Sequence, residues 1–349
     1  SESVSRPGAG LGARAPQPVP HLLRPRRSRR PGPRQASCGP RGRDGLLLVS
    51  LPSLPGDKST VLRLCVCNLL AGRRDLLPPL DTASLLDKAF RGYAVLTAAD
   101  HGAGLHRPAD GYSTFFQVLV TGIRPLDGGV YIVKFSSDFA SSRAWNWSYI
   151  SQLVDEFFSI LPRGNCVAAV TRGIAHWLFL GEGSNGWSLL TLDASISSEH
   201  VGATEIPLDA MPDIIPDSLL FNSSYVGLFP SINGRLSLFY LDTQGLRIWS
   251  RQDGDQGGPE VWRLTEPILG EAELGLSKKE TLSTVCIGEK SSTILGRYDS
   301  DPDHAYVVHL RTRSTAMVTG WNRSFNYVTA VPCEMNWLEF FASRLGVQL

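Results

Sequence analysis

The 349-residue chain has no apolar run near the ~20 residues that a membrane-crossing helix requires. Its first residues, SESVSRPGAG, lack the basic-then-apolar order of a secretory signal. Cysteine is sparse and scattered. The six are Cys38, Cys65, Cys67, Cys166, Cys286 and Cys333, with no C-x-x-C among them. Cys65 and Cys67 stand two apart in a strand-like run and so share one face. They could share a metal, but no second ligand pair follows at zinc spacing. Buried free thiols in a reducing compartment are the expectation, and no metal site is expected. In that setting the N-x-S sequons at Asn146, Asn222 and Asn322 are chance matches. A cytoplasmic or nuclear protein with no membrane partner follows. Catalytic signatures are missing as well: there is no G-x-S-x-G, no H-E-x-x-H and no P-loop. No nucleophile is nominated together with its base, so no catalytic, cofactor-binding or metal-ligating residue is expected, and no cofactor.

Strong net charge is also lacking, at +1, but the average hides an asymmetry. Residues 1–43 hold ten Arg and one acid, Glu2. The rest holds 24 Lys and Arg against 32 Asp and Glu. The arm is built from Arg, Pro, Gly and Ala with few apolar anchors, so it cannot repay its ordering entropy and reads as disordered. Its cluster Arg24–Arg30 suits a nuclear import signal or an anionic partner. An acidic body argues against a broad basic groove, so nucleic-acid binding is not the expectation. The arm's composition also suits out-of-frame translation of GC-rich sequence, which transcript sequencing across residues 1–43 would exclude.

From residue 44 to 349 the texture is β-rich and reads as one domain. Short runs of β-branched and aromatic residues, each closed by Gly, Pro, Asn or Asp, predict strands near 45–50, 61–67, 92–98, 114–122, 129–135, 165–171, 174–180 and 187–192. More follow near 225–230, 235–241, 245–250, 260–264, 282–288, 292–298, 304–310 and 315–319. A weak repeat of roughly 40–55 residues matches one four-stranded propeller blade. The fold expected is all-β and β-propeller-like, with about six blades. Trp177, Trp249 and Trp262 suit packing between blades. Two stretches break the rhythm. Ile150, Leu153, Val154, Phe157, Phe158 and Leu161 fall on one helical face that Pro162 would end. The tail from Cys333 to Leu345 reads as a short closing helix.

Single motifs carry little chemistry. Gly181, Gly183 and Gly186 fit G-x-G-x-x-G, but that fingerprint needs a helix after it, whose amides hold the phosphate. Here WSLLTLD follows, another β run, so a Gly-rich hairpin is expected. The run Asp299 to His304 opens like a calcium loop. It places His304 where Gly belongs and Leu310 where Glu belongs, so a solvated turn is expected. His176, inside a strand, reads as a satisfied core histidine.

Several phrases in order carry a family resemblance. VCNLLAGRRDLLPPL (66–80) resembles the CNPxTGxxxxLPPL segment of plant F-box proteins that have an associated C-terminal domain. GIAHWLF…SLLTLD…TEIPL resembles that domain's GxxHWL…LxxLD…LP passage. INGRLSLFYLDTQGLRIWSRQD with VWRL resembles its GxLxL…LxIW…W passage. AYVVHLRTRSTAMVT with VPCEMNWLEFF resembles its ending, and GYAVLTAADHG and ADGYSTFFQVLVTG are similar to the grass-expanded branch. The likeness spans about 44–345. It implies a β-propeller-like, non-catalytic domain that holds a protein for an SCF-type cullin ubiquitin ligase, acting by proximity. Nothing in 1–43 resembles the F-box itself, LPxDLLxxILxRLP, so the resemblance implies a protein target without implying the ligase adaptor. Function would sit on loops carried by a rigid ring. Residues 99–113 and 251–259 are the candidates, mixing charge, His and Gly. An enzyme using a central channel would instead place acids or His at one position of successive blades, and no such repeat occurs.

Overall fold

The computed structural model describes residues 41–43, 45–52, 60–69, 72–82, 91–97, 100, 115–123, 130–137, 147–153, 168–183, 186–195, 201–207, 226–231, 233–242, 245–252, 261–270, 282–288, 291–298, 303–310 and 312–319. All of them belong to one compact unit, Gln35–Leu349. Every regular element among them is a β-strand, and the strands form five antiparallel sheets in chain order.

Blade 1 holds β1 (Arg41–Arg43), β2 (Leu46–Leu51), β3 (Val61–Asn68) and β4 (Arg73–Leu76), with β5 (Leu80–Asp81) beside β3. Blade 2 holds β6 (Arg91–Thr97), β7 (Phe116–Ile123), β8 (Val130–Ser136) and β9 (Ser148–Leu153). Blade 3 holds β10 (Ala169–Thr171), β11 (Ile174–Gly183), β12 (Gly186–Ser195) and β13 (Val201–Ile206). Blade 4 holds β14 (Val226–Pro230), β15 (Leu236–Asp242), β16 (Gly245–Gln252) and β17 (Val261–Gly270). Blade 5 holds β18 (Leu282–Gly288), β19 (Thr293–Tyr298), β20 (Tyr306–His309) and β21 (Ser314–Met317). This is a five-bladed β-propeller arrangement.

Side-chain alternation makes the blades stack. Successive residues of a strand point to opposite faces, and here both faces are apolar. In β6, Tyr93 and Val95 join a core shared with blade 1, while Ala94 and Leu96 join a core shared with blade 3. In β12, Leu192 and Ala194 face blade 2 and Leu189 faces blade 4. In β15, Leu238 and Tyr240 face blade 3 and Phe239 and Leu241 face blade 5. Neighbouring blades therefore share one core at each junction from blade 1 to blade 5.

Aromatics join the blades, as their spacing predicts. Trp177 is buried between blades 2 and 3, and Trp249 and Trp262 between blades 3 and 4. Gly92 makes room for Trp177, because a Cβ there would lie 2.7 Å from the indole. Trp147 lies tilted against Phe135, ring centroids 5.7 Å apart, and its Nε1 donates to the Pro78 carbonyl at 2.8 Å, tying blade 2 to the connection between β4 and β5 of blade 1.

Three expectations need correction. The described residues make five blades, not about six. First strands begin at 41, 91, 169, 226 and 282, so the steps are 50, 78, 57 and 56 residues, and long connections consume chain that the strand rhythm assigned to another blade. The helix expected from residue 150 is a strand over Ser148–Leu153, paired to Val130–Lys134. Completing the fourth strand of blade 2 outweighs a local helical period. Arg41–Arg43, expected to lack structure, pair with Leu46–Leu48. The ladder uses backbone groups only, so Arg side chains do not prevent it. The rest of the expected helix, the tail helix at 333–345 and arm residues 1–40 lie outside the described residues.

Candidate functional site

The clearest polar constellation lies in blade 3. Thr171 ends β10, His176 stands on β11 and Asp193 on β12. The register pairs Thr171 with Ile174 across a two-residue turn and places His176 directly opposite Asp193. By alternation all three side chains point toward blade 4. The turn holds Arg172 at φ 49° and Gly173 at φ 76°. Two left-handed residues make the turn that suits the twist of a tight hairpin. Gly173 is constrained a second time, because a Cβ there would lie 2.7 Å from the Asp100 carbonyl oxygen. Asp100 is held in turn by its carboxylate, which accepts from the Thr97 amide at 2.8 Å.

His176 Nδ1 lies 2.7 Å from Asp193 Oδ1, and Nε2 lies 2.8 Å from Thr171 Oγ1. With the ring proton on Nδ1, the imidazole donates to the carboxylate and accepts from the hydroxyl. The Thr204 hydroxyl on β13 donates to Asp193 Oδ2 at 3.2 Å, and Arg251 Nη1 on β16 approaches the same oxygen at 3.5 Å. The order hydroxyl, imidazole, carboxylate is the one that activates a nucleophile. A nucleophile must also meet substrate. Thr171 is 8% exposed and His176 3%. Every polar atom of the imidazole and carboxylate is engaged inside the protein, so this network reads as glue between all four strands of blade 3 and one of blade 4. His176 is the satisfied core histidine that its position in a strand predicts. Sequence reasoning missed its partners. Asp193 is visible only once the register sets it, 17 positions away, beside the imidazole, and Arg251 only once blade packing brings it to the Asp193 carboxylate.

The other sequence candidates fall as follows. Gly183 pairs with Gly186, so the glycine fingerprint is a hairpin between β11 and β12, with no helix after it. Of the calcium-like run, Asp299–Pro302 lie outside the described residues. Of the two candidate loops, only Asp100, Arg251 and Gln252 lie within them. Among the described residues no group of three His, Cys, Asp or Glu side chains could hold a metal ion. Cys65 and Cys67 are both free, on one face of β3, with their sulfurs 3.8 Å apart. Burial first, then the Cys67 thiol, pushes the Cys65 thiol up to about 11. No helix among the described residues is long and apolar enough to cross a membrane.

No family model matches the chain, and no curated protein does. Solved structures of similar shape include an α-L-arabinanase of Penicillium chrysogenum, 10% identical, covering 77% of each chain at a TM-score of 0.40. The GH93 α-L-arabinofuranosidase of Fusarium graminearum is 8% identical, over 79% of this chain and 78% of that one, at 0.40. The β-propeller domain of the Trilobed protease from Pyrococcus furiosus is 8% identical, over 77% and 79%, at 0.35. Likeness at this level carries no statement about what the chain binds or turns over. The described residues form a five-bladed β-propeller.

Proposed function

We propose that the chain is a non-catalytic protein-recognition module, resembling the substrate-binding domain of SCF-type F-box proteins and acting in the cytoplasm or nucleus. One observation supports this most. The residues that carry the resemblance in blades 3 and 4, namely His176, Trp177, Asp193, Trp249 and Trp262, are consumed by the scaffold. They pack between blades or close hydrogen bonds inside them. A scaffold built this way leaves recognition to its connections, where rigid strands hold variable loops. The partner is a protein target. Adaptor docking is not part of the proposal, because residues 1–43 do not resemble an F-box.

The test is a tagged pull-down of the full chain from plant cells, read by mass spectrometry. It is run beside two variants in which 101–110 or 253–258 is replaced by Gly-Ser linker. A target lost from a loop variant but kept after the buried change Trp177→Phe supports a loop-borne recognition site. Capture that is unaffected in both loop variants sinks it. Co-purification of the ligase adaptor and cullin would add a docking element that the sequence does not reveal.

A further inference from the structure

We propose that the segment 333–345 of this chain packs into the seam between blade 5 and blade 1 and supplies the apolar contact that joins the two ends of the propeller. Among the described residues, blade 1 shares a buried core with blade 2 and blade 5 with blade 4, and none joins blade 5 to blade 1. A propeller arranges its blades around a central channel, so the remaining faces of its first and last blades look toward each other. Both faces are apolar. Leu48 and Val66 point toward blade 2, so by alternation Leu47, Val49 and Cys65 point away from it. Leu76, opposite Cys65, extends that row and is 59% exposed. In blade 5, Ile294 and Val308 point toward blade 4, so Leu295, Val307 and Ala316, aligned across three strands, point away. Leu47, Val49, Leu295 and Val307 are each half-buried. Covering them removes apolar area from water, which is favourable.

Position and chemistry select the occupant. The outer strand of blade 5, β21, ends at Met317. Residues 320–332 span up to about 45 Å when extended, against about 15 Å across a four-stranded blade. The chain thus leaves from the rim of this seam with ample reach. In the segment, Trp337, Phe340, Phe341 and Leu345 recur at i, i+3, i+4 and i+8, the apolar face of a helix. Charge agrees. Among the described residues the two faces carry the cations Arg63, Arg74 and Arg297 against one acid, Asp81. The segment brings Glu334 and Glu339, whereas the Arg-rich residues 1–40 bring the wrong sign to the same place.

The experiment replaces the exposed Leu76 of the full chain by photoreactive p-benzoylphenylalanine and maps the crosslinks by mass spectrometry. The expected result is a crosslink within one chain to a peptide from 333–345. A crosslink map without that segment overturns the proposal, and so does a covalent dimer, which would put a second copy in the seam. A second measurement alkylates Cys67 and Cys286, half-buried thiols on the two faces, with N-ethylmaleimide. In the double variant Phe340→Asp/Phe341→Asp both should react at least fivefold faster while circular dichroism stays native. Unchanged rates in the folded variant overturn the proposal. If the double variant does not fold, the crosslink from position 76, which leaves the segment intact, decides.

Discussion

Cys65 shows how one buried group ties stability to pH. Its thiol holds its proton to about 11 in the folded protein, against an ordinary 9.0, because burial disfavours the thiolate. The folded state thus binds the proton more tightly than the unfolded chain. The stabilisation is complete below pH 9 and is lost as pH rises toward 11. Urea unfolding at pH 8 and pH 11 should show a loss in wild type that Cys65→Ala lacks, at most about 3 kcal/mol. His176 poses the opposite problem, a polar ring made safe by partners. His176→Ala leaves Asp193 with one hydrogen bond fewer beside a cavity. It should cost about 2–4 kcal/mol, whereas Thr204→Val, which touches only the carboxylate's outer oxygen, should cost about 1 kcal/mol. Chemical denaturation of the two variants decides the order.

At the scale of the element, the hairpin from β10 to β11 concentrates backbone constraint. Arg172 occupies a left-handed conformation that a side chain disfavours, while Gly173 needs its missing Cβ twice. Arg172→Gly should leave stability unchanged or raise it by up to about 1 kcal/mol. Gly173→Ala should lower it by about 1–3 kcal/mol, because strain and the Asp100 carbonyl oxygen oppose the methyl group together. A paired measurement of melting temperature separates them, and the reverse order would refute the turn geometry. Gly92 makes the same argument between blades. Gly92→Ala pushes a methyl group into Trp177, and Trp177→Phe should recover part of the loss.

At the scale of the whole molecule, blades 2, 3 and 4 are each half of two cores, and blades 1 and 5 each contribute to one. No blade hides its faces alone, so damage at one junction spreads. Trp249→Ala, at the core between blades 3 and 4, should cost about 3–5 kcal/mol and keep a single transition. Separate transitions in scanning calorimetry would show that the blades unfold independently. The basic arm is a different case. Deleting residues 1–34, outside the unit that carries the blades, should leave the melting temperature within about 1 °C and leave target capture intact. A steep fall in capture, with strong salt dependence, would favour binding through the Arg cluster instead.

The all-β class, the hairpin at Gly183–Gly186 and the aromatic joints follow from the sequence by itself. Each rests on a local signal: alternation, a turn residue, or a large ring in an apolar run. Strands with an apolar face against a neighbour, such as 61–68 and 236–242, stand out for the same reason. The strands left unseen include the fourth strands of blades 1, 2 and 3, whereas those of blades 4 and 5 were read near 260–264 and 315–319. β4 is Arg-Arg-Asp-Leu and mostly exposed, β13 is half-exposed, and β9 carries a helical period. Their conformation comes from the ladder they complete, a tertiary hydrogen-bond pattern that local composition does not encode. The same holds for chemistry. His176 is visible in the sequence as a strand histidine, but only register brings Thr171 and Asp193 to it, and only blade packing brings Arg251 to Asp193. Tertiary structure alone turned a hydroxyl, an imidazole and a carboxylate into buried structural glue, because it alone set how far each lies from water.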